Sequence, residues 1–116
     1  MVKLVLLLKR RDGMSFEDFV EYYENHHAIL GLKLLLSPSR YERRYLRPLA
    51  TVVAGAGGDA YDCITEVWFK DRAMLDAALA HSARPENAAL LAQDEAKLFD
   101  RAKIRLYIVD NECLSA

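Results

Sequence analysis

The stretch "YDCITEVWF", residues 61–69, carries two messages in one strand. Its Ile, Thr, Val, Trp and Phe are β-branched and aromatic types that suit a pleated, half-buried surface. Strand residues alternate between faces. Cys63, Thr65, Val67 and Phe69 therefore form a smooth, mostly apolar set fit to lie beneath helices. Asp62, Ile64, Glu66 and Trp68 fall together on the opposite face, mixing two carboxylates with two large apolar groups. What flanks this strand decides the fold, and what its second face meets bears on function.

Upstream, Val2–Leu8 is an apolar run broken only by Lys3 and closed by the turn-like "KRRDG", the pattern of a buried strand. Ser15 then opens a helix, with Asp18 three residues on to help cap its free N–H groups. Phe16, Phe19, Val20, Tyr23, His27 and Leu30 recur along one face of it. The pattern predicts that this helix ends at Gly31, with "AILGLKLL" packing down towards a second strand. That strand is "SPSRYERRYLRP" (residues 37–48), alternating, Arg-rich and ended by Pro48. Residues 49–60, "LATVVAGAGGDA", collapse into Gly and Ala and read as a flexible loop. The "AGAGG" within them has no following helix, so it is not a phosphate-binding turn.

Beyond the 61–69 strand, "DRAMLDAALAH" predicts a short helix capped by Asp71 and burying Met74, Leu75, Ala78 and Leu79. Pro85 suits the first turn of another helix, "PENAALLAQDEAKLF", where a missing N–H costs nothing. Finally "AKIRLYIVD" (residues 102–110) alternates as a fourth strand. The order is β-α-β-β-α-β with the second crossover split in two. This is a ferredoxin-like α+β fold, an antiparallel four-stranded sheet with helices on one face.

A chain of 116 residues, 53% of them hydrophobic, is long enough for one domain (residues 1–116) with a core of its own. Sixteen basic against seventeen acidic residues leave a net charge of −1, so nothing draws it generally to nucleic acid or membrane. The arginines at 10, 11, 40, 43, 44 and 47 read as the charged defence of an edge strand and loop. Two cysteines, Cys63 and Cys113, form neither a zinc spacing nor a disulfide framework, and they fit a reducing cytoplasm. The N-terminal "MVKLVLLLKRR" is too short for a membrane span and has no signal-peptide pattern, so it reads as mature protein.

The helices cover one face only. On the other face Ile64, Trp68 and Tyr107 accompany Asp62, Glu66 and Arg105, while Ile104, Leu106 and Ile108 take the helix side. In the second strand Tyr41 and Tyr45 oppose Arg40, Glu42 and Arg44. A solvated face would hardly carry Trp and Ile at its centre, and a flat protein interface would not favour two acids there. A concave apolar site with a few polar groups meets both conditions. The simplest construction is a homodimer of sheets meeting back to back, enclosing a cavity in each half.

The segments "LLLKRRDGMSFEDFVEYYENHHAILG", "YDCITEVWF" and "QDEAKLFDRAK" together resemble the EthD-type members of the dimeric α/β-barrel superfamily, over nearly the whole chain. The resemblance implies a ferredoxin-like protomer, dimerisation through the sheet faces and a hydrophobic pocket that needs no cofactor. Relatives are linked to dehydration, isomerisation and decarboxylation in polyketide and aromatic metabolism. The wider superfamily adds cofactor-free monooxygenases of phenols, muconolactone isomerases and some haem-degrading proteins. EthD itself is named for an ether-degradation cluster.

His27 is the leading catalytic candidate. It falls eleven residues after Phe16, close to three full turns, whereas His26 lies roughly 80° off that stripe. The family's His-Ala pair also matches His27 with Ala28. An imidazole exchanges protons near neutral pH without a large shift; packed at a helix end, it would instead cap a carbonyl. Asp62 and Glu66 stand about 13 Å apart along one strand. They are no carboxylate dyad, but either could orient His27, serve as its partner acid, or simply bond to backbone or to an Arg across the dimer. Tyr41, Ile64, Trp68 and Tyr107 are the expected substrate-binding residues, with the Tyr41 phenol able to donate to a substrate oxygen and the aromatic rings able to stack. Cys63 points under the helices and reads as core. No His or carboxylate spacing completes a metal site.

The expected function is a cofactor-independent enzyme acting by proton transfer, as a dehydratase or isomerase, on a small hydrophobic aromatic or polyketide-like molecule. The alternatives are a cofactor-free monooxygenase of a phenolic substrate and a non-catalytic binding or accessory protein.

Overall fold

The computed structural model describes residues 1–48, 61–109, 112, 113 and 115; the loop reading for 49–60 lies outside them. Strands β1 (Val2–Leu8), β2 (Arg40–Tyr45), β3 (Cys63–Phe69) and β4 (Arg105–Val109) form one sheet in the order β2-β3-β1-β4. All three pairings are antiparallel. Helices α1 (Phe16–Tyr22) and α2 (Ala28–Leu34) fill the first crossover, while α3 (Arg72–Ser82) and α4 (Pro85–Leu98) fill the second. The order and topology are those of a ferredoxin-like fold.

Register places the strand faces where alternation predicts. Leu4 sits opposite Val67 and Ile108, Leu6 opposite Thr65 and Leu106, and Leu8 opposite Cys63. Tyr41 pairs with Val67 and Tyr45 with Cys63, so both tyrosines share the helix side. All four helix-side residues of β3 are buried. The core divides into a cluster around Phe19, Tyr23, Cys63 and Phe99 and another around Leu4, Val67, Phe69 and Leu75.

Three expectations change. The strands are shorter than their sequence patterns: β2 covers only Arg40–Tyr45, β3 begins at Cys63, and residues 101–103 form a 3₁₀ turn ahead of β4. In α3 only Leu75 and Ala78 are buried, whereas Met74 and Leu79 are exposed; a residue adjacent to an inward one is turned by about 100°. The first crossover does not end at Gly31 but runs on to Leu34, and it leaves through Leu36 and Ser37 at φ of 59° and 53°. A Cβ on Gly31 would stand 2.9 Å from the Tyr41 hydroxyl oxygen. Gly31 is thus a site of close approach inside a helix rather than its terminator.

Among the described residues no helix is long and apolar enough to cross a membrane.

Candidate active site

The first crossover is not a uniform α-helix. Between α1 and α2 the chain makes a π turn over Tyr23–His27, and the Ala28 N–H bonds back to the Tyr23 carbonyl, five residues earlier. Such a one-residue widening recurs at functional sites. It lets consecutive residues, His27 and Ala28, both be buried, while Phe19 and Tyr23 continue the inward face behind them. His26 points outward and lies against the Tyr22 ring at 4.7 Å between centroids.

His27 is 7% exposed. Its ring stands edge-on to Phe99 and Tyr23 at centroid distances of 5.1 and 5.3 Å. Its Nδ1 lies 2.7 Å from Oδ2 of Asp94. The Tyr22 hydroxyl donates to Oδ1 of the same carboxylate at 2.5 Å. An ionised carboxylate only accepts, so Nδ1 carries the proton and Nε2 is the basic nitrogen. This is the arrangement by which a carboxylate fixes an imidazole tautomer.

Asp94 arrives through the periodicity of α4. Asn87, Leu91, Asp94 and Leu98 repeat at spacings of four, three and four, which makes one helix face. Asn87 and Leu98 are buried, and the Asn87 side chain donates to the His81 carbonyl at 2.8 Å across the turn between α3 and α4.

Between helices and sheet lies a cavity of about 160 Å³, walled largely by leucines of β1, α2 and α4. His27, Tyr23, Tyr41, Thr65 and Glu95 bring polar groups to its lining. The Tyr23 hydroxyl is committed to Thr65 at 2.6 Å, whereas Tyr41 has only a long 3.4 Å contact with Tyr23. Burial is the main cause that pushes both phenols above their ordinary range, so Tyr41 remains a proton donor at neutral pH. Glu95 pairs with Arg101 at 3.4 Å. Leu79 and Leu106 line the cavity yet are well exposed, which marks its mouth.

Of the residues singled out in the sequence, the cavity brings together His27 and Tyr41 alone. Asp62, Ile64, Glu66, Trp68 and Tyr107 have no part in it, and the cavity lies between sheet and helices of one chain rather than on the uncovered face. The reason is strand parity, since residues that alternate with Thr65 and Val67 point away from the helices. Glu66 is held there by Lys3 at 3.0 Å and Arg44 at 3.1 Å. Cations of Lys3 and Arg40 flank the Trp68 ring at 5.2 and 4.6 Å. Asp62 accepts the Arg10 backbone N–H at 2.9 Å. The carboxylate that orients His27 is Asp94, not Asp62 or Glu66. Its signal in the sequence was a charged residue on the apolar stripe of "PENAALLAQDEAKLF". Among the described residues no three His, Cys, Asp or Glu side chains converge as a metal site.

Fold and cavity together define a ferredoxin-like α+β protein with a carboxylate-held histidine facing a largely apolar chamber. Residues 11–102 match the EthD domain model, and the chain belongs to that family. An EthD-family protein of Bacillus halodurans is 22% identical over 97% of this chain and 99% of its own, with a TM-score of 0.64. The Arabidopsis thaliana protein At3g17210 is 21% identical over the full length of both chains, at a TM-score of 0.63. A Bacteroides fragilis protein described as dimeric and ferredoxin-like is 14% identical over 93% of each chain, at 0.53. No curated protein matches the sequence.

Proposed function

We propose that this protein is a cofactor-independent enzyme that moves protons on a small hydrophobic, oxygen-bearing molecule held between its helices and sheet. The observation that carries the reading is the His27–Asp94 contact of 2.7 Å at the wall of an apolar cavity. Asp94 keeps the proton on Nδ1, which leaves Nε2 to take a proton from the substrate and return it elsewhere. Tyr41 supplies the complementary group, a protonated phenol that donates to an oxygen where negative charge develops. A base and a donor in a chamber shielded from water suit abstraction of a proton next to a carbonyl, followed by dehydration or isomerisation.

Cavity size narrows the substrate. An apolar cavity of about 150 Å³ accommodates benzene, so the 160 Å³ here suits about one aromatic ring or a short folded chain. Longer substituents would leave past Leu79 and Leu106. A homodimer through the uncovered sheet faces would bury Ile64, Trp68 and Tyr107 away from the chemistry. These residues then belong to assembly, and the substrate contacts to Tyr41 and its neighbours.

The test is turnover of enolisable one-ring ketones and phenols, followed by deuterium exchange next to the carbonyl. Replacing His27 by Ala should lower exchange by a hundredfold or more, as expected for loss of a general base. Unchanged exchange in the variant would overturn the assignment of His27. Oxygen uptake that tracks substrate loss would replace proton transfer by cofactor-free oxygenation. Tight binding without exchange or uptake would make the protein a binder.

A further inference from the structure

We infer that Tyr22 is a positioning residue that sets the basicity of His27 through the Asp94 carboxylate they share. The inference rests on His27 as the working base of the proposed reaction, but its main test needs no substrate.

The geometry is specific to the π turn. Tyr22 and His27 are five residues apart, and on a regular α-helix they would point roughly 140° away from each other. The five-residue bond from Ala28 back to Tyr23 closes that gap. The Tyr22 hydroxyl and the His27 Nδ1 then meet the two oxygens of one carboxylate, at 2.5 and 2.7 Å. Tyr22 cannot substitute for the base itself. Burial and the bond to Asp94 push its phenol up to about 12, so it stays a donor throughout the working range.

A carboxylate shared by two donors gives less to each than one serving a single donor. With the Tyr22 hydroxyl in place, part of the Asp94 charge is spent on it, and the imidazolium form of His27 is stabilised less. The other polar groups that line the cavity with His27 are Tyr23 from its own turn, Tyr41 from β2, Thr65 from β3, Ser82 from α3 and Glu95 from α4, the last tied to Arg101. None of these bridges Tyr22 to His27, so the coupling runs through Asp94.

The experiment is an NMR titration of the three histidines in the full-length protein, with His27 assigned by its loss in His27→Asn. Tyr22→Phe keeps the ring that packs on His26 and removes only the hydroxyl, and a far-UV CD melt verifies the fold. The midpoint of His27 should rise by about half a pH unit or more. In an Asp94→Asn background the same change should leave it where it is, because the shared group is gone. The acidic limb of the pH–rate profile should move by the same amount as the titration, since a base works only when deprotonated. An unchanged midpoint in Tyr22→Phe would reduce Tyr22 to packing, and a fall would show that Asp94 leaves His27 without it. Either result overturns the inference. A shift of the titration with no catalytic consequence of His27→Ala would retain the coupling and overturn only the proposed reaction.

Discussion

Gly31 offers the sharpest quantitative test, because two opposing effects meet at one atom. In a helix interior Ala is favoured over Gly by roughly 1 kcal/mol, so Gly31→Ala should stabilise α2 if the space around it were open. It is not. The new Cβ would lie 2.9 Å from the Tyr41 Oη, with the neighbouring ring carbons at 3.3 and 3.4 Å. Restoring ordinary contact requires the phenol to retreat by about 0.5 Å, in a ring packed against both core clusters. Overpacking of that kind costs about 1–3 kcal/mol. The net expectation is a loss of about 0–2 kcal/mol. In a Tyr41→Phe background the shortest contact disappears, and Gly31→Ala should become neutral or stabilising by up to about 1 kcal/mol. The two substitutions should therefore couple by about 1–2 kcal/mol, as contacting residues do. Urea unfolding followed through the fluorescence of Trp68 measures all four proteins of this cycle; 1 kcal/mol moves a midpoint by about 0.5 M at an m of ~2 kcal/mol/M. Turnover adds a second reading, since a displaced phenol should lower kcat by about 10- to 100-fold. If Gly31→Ala stabilises the parent as much as it stabilises the Tyr41→Phe variant, the close approach of Tyr41 is not why glycine stands there.

Cys63 is fully buried and its thiol is pushed up to about 11, chiefly by burial. At pH 8 a thiol reagent should therefore modify the exposed Cys113 quickly and Cys63 only on unfolding; rapid labelling of both in the native protein would contradict the packing of β3. Glu24 accepts both donors of the Arg43 fork at 2.7 Å, and this guanidinium is the main cause that holds its carboxyl below the ordinary 4.5. A depressed carboxyl contributes stability that is present above that ordinary value and lost as pH falls through the lower folded one. The excess urea midpoint of the parent over Glu24→Gln should accordingly be flat near neutrality and shrink on acidification, and a difference that grows instead would reverse the assignment. For the proposed dimer, Ile64→Lys places a charge at the centre of the uncovered face, so sedimentation should show dissociation, whereas a dimer of unchanged strength would move the interface elsewhere.

Strand alternation carried the topology because the pleat has a period of two and needs no knowledge of partners. Cys63 through Phe69 read correctly from their types alone, and the pairing of Leu4 with Val67 or Tyr41 with Val67 follows once the faces are known. The site was less legible for a reason that lies in the same parity. Conspicuous residues such as Trp68 and Glu66 stood out because a polar and apolar mixture on an uncovered face demands explanation, and the ion pairs from Lys3 and Arg44 supply it without any substrate. The groups that surround the cavity are plainer. Leucines that look like ordinary core leave a gap between two packed clusters, and a gap is a property of summed volumes that no single residue announces. Asp94 was visible only as a charge out of place on a stripe that otherwise runs Asn87, Leu91, Leu98. A helix read at 3.6 residues per turn also sets Tyr22 apart from His27, and the added residue of the π turn is what closes the distance. The backbone irregularity thus converts a tyrosine, an aspartate and a histidine with no common spacing into one hydrogen-bonded unit. For such sites a half-buried carboxylate on an apolar stripe, opposite a histidine on another, is a better guide than the residues that crowd an open sheet.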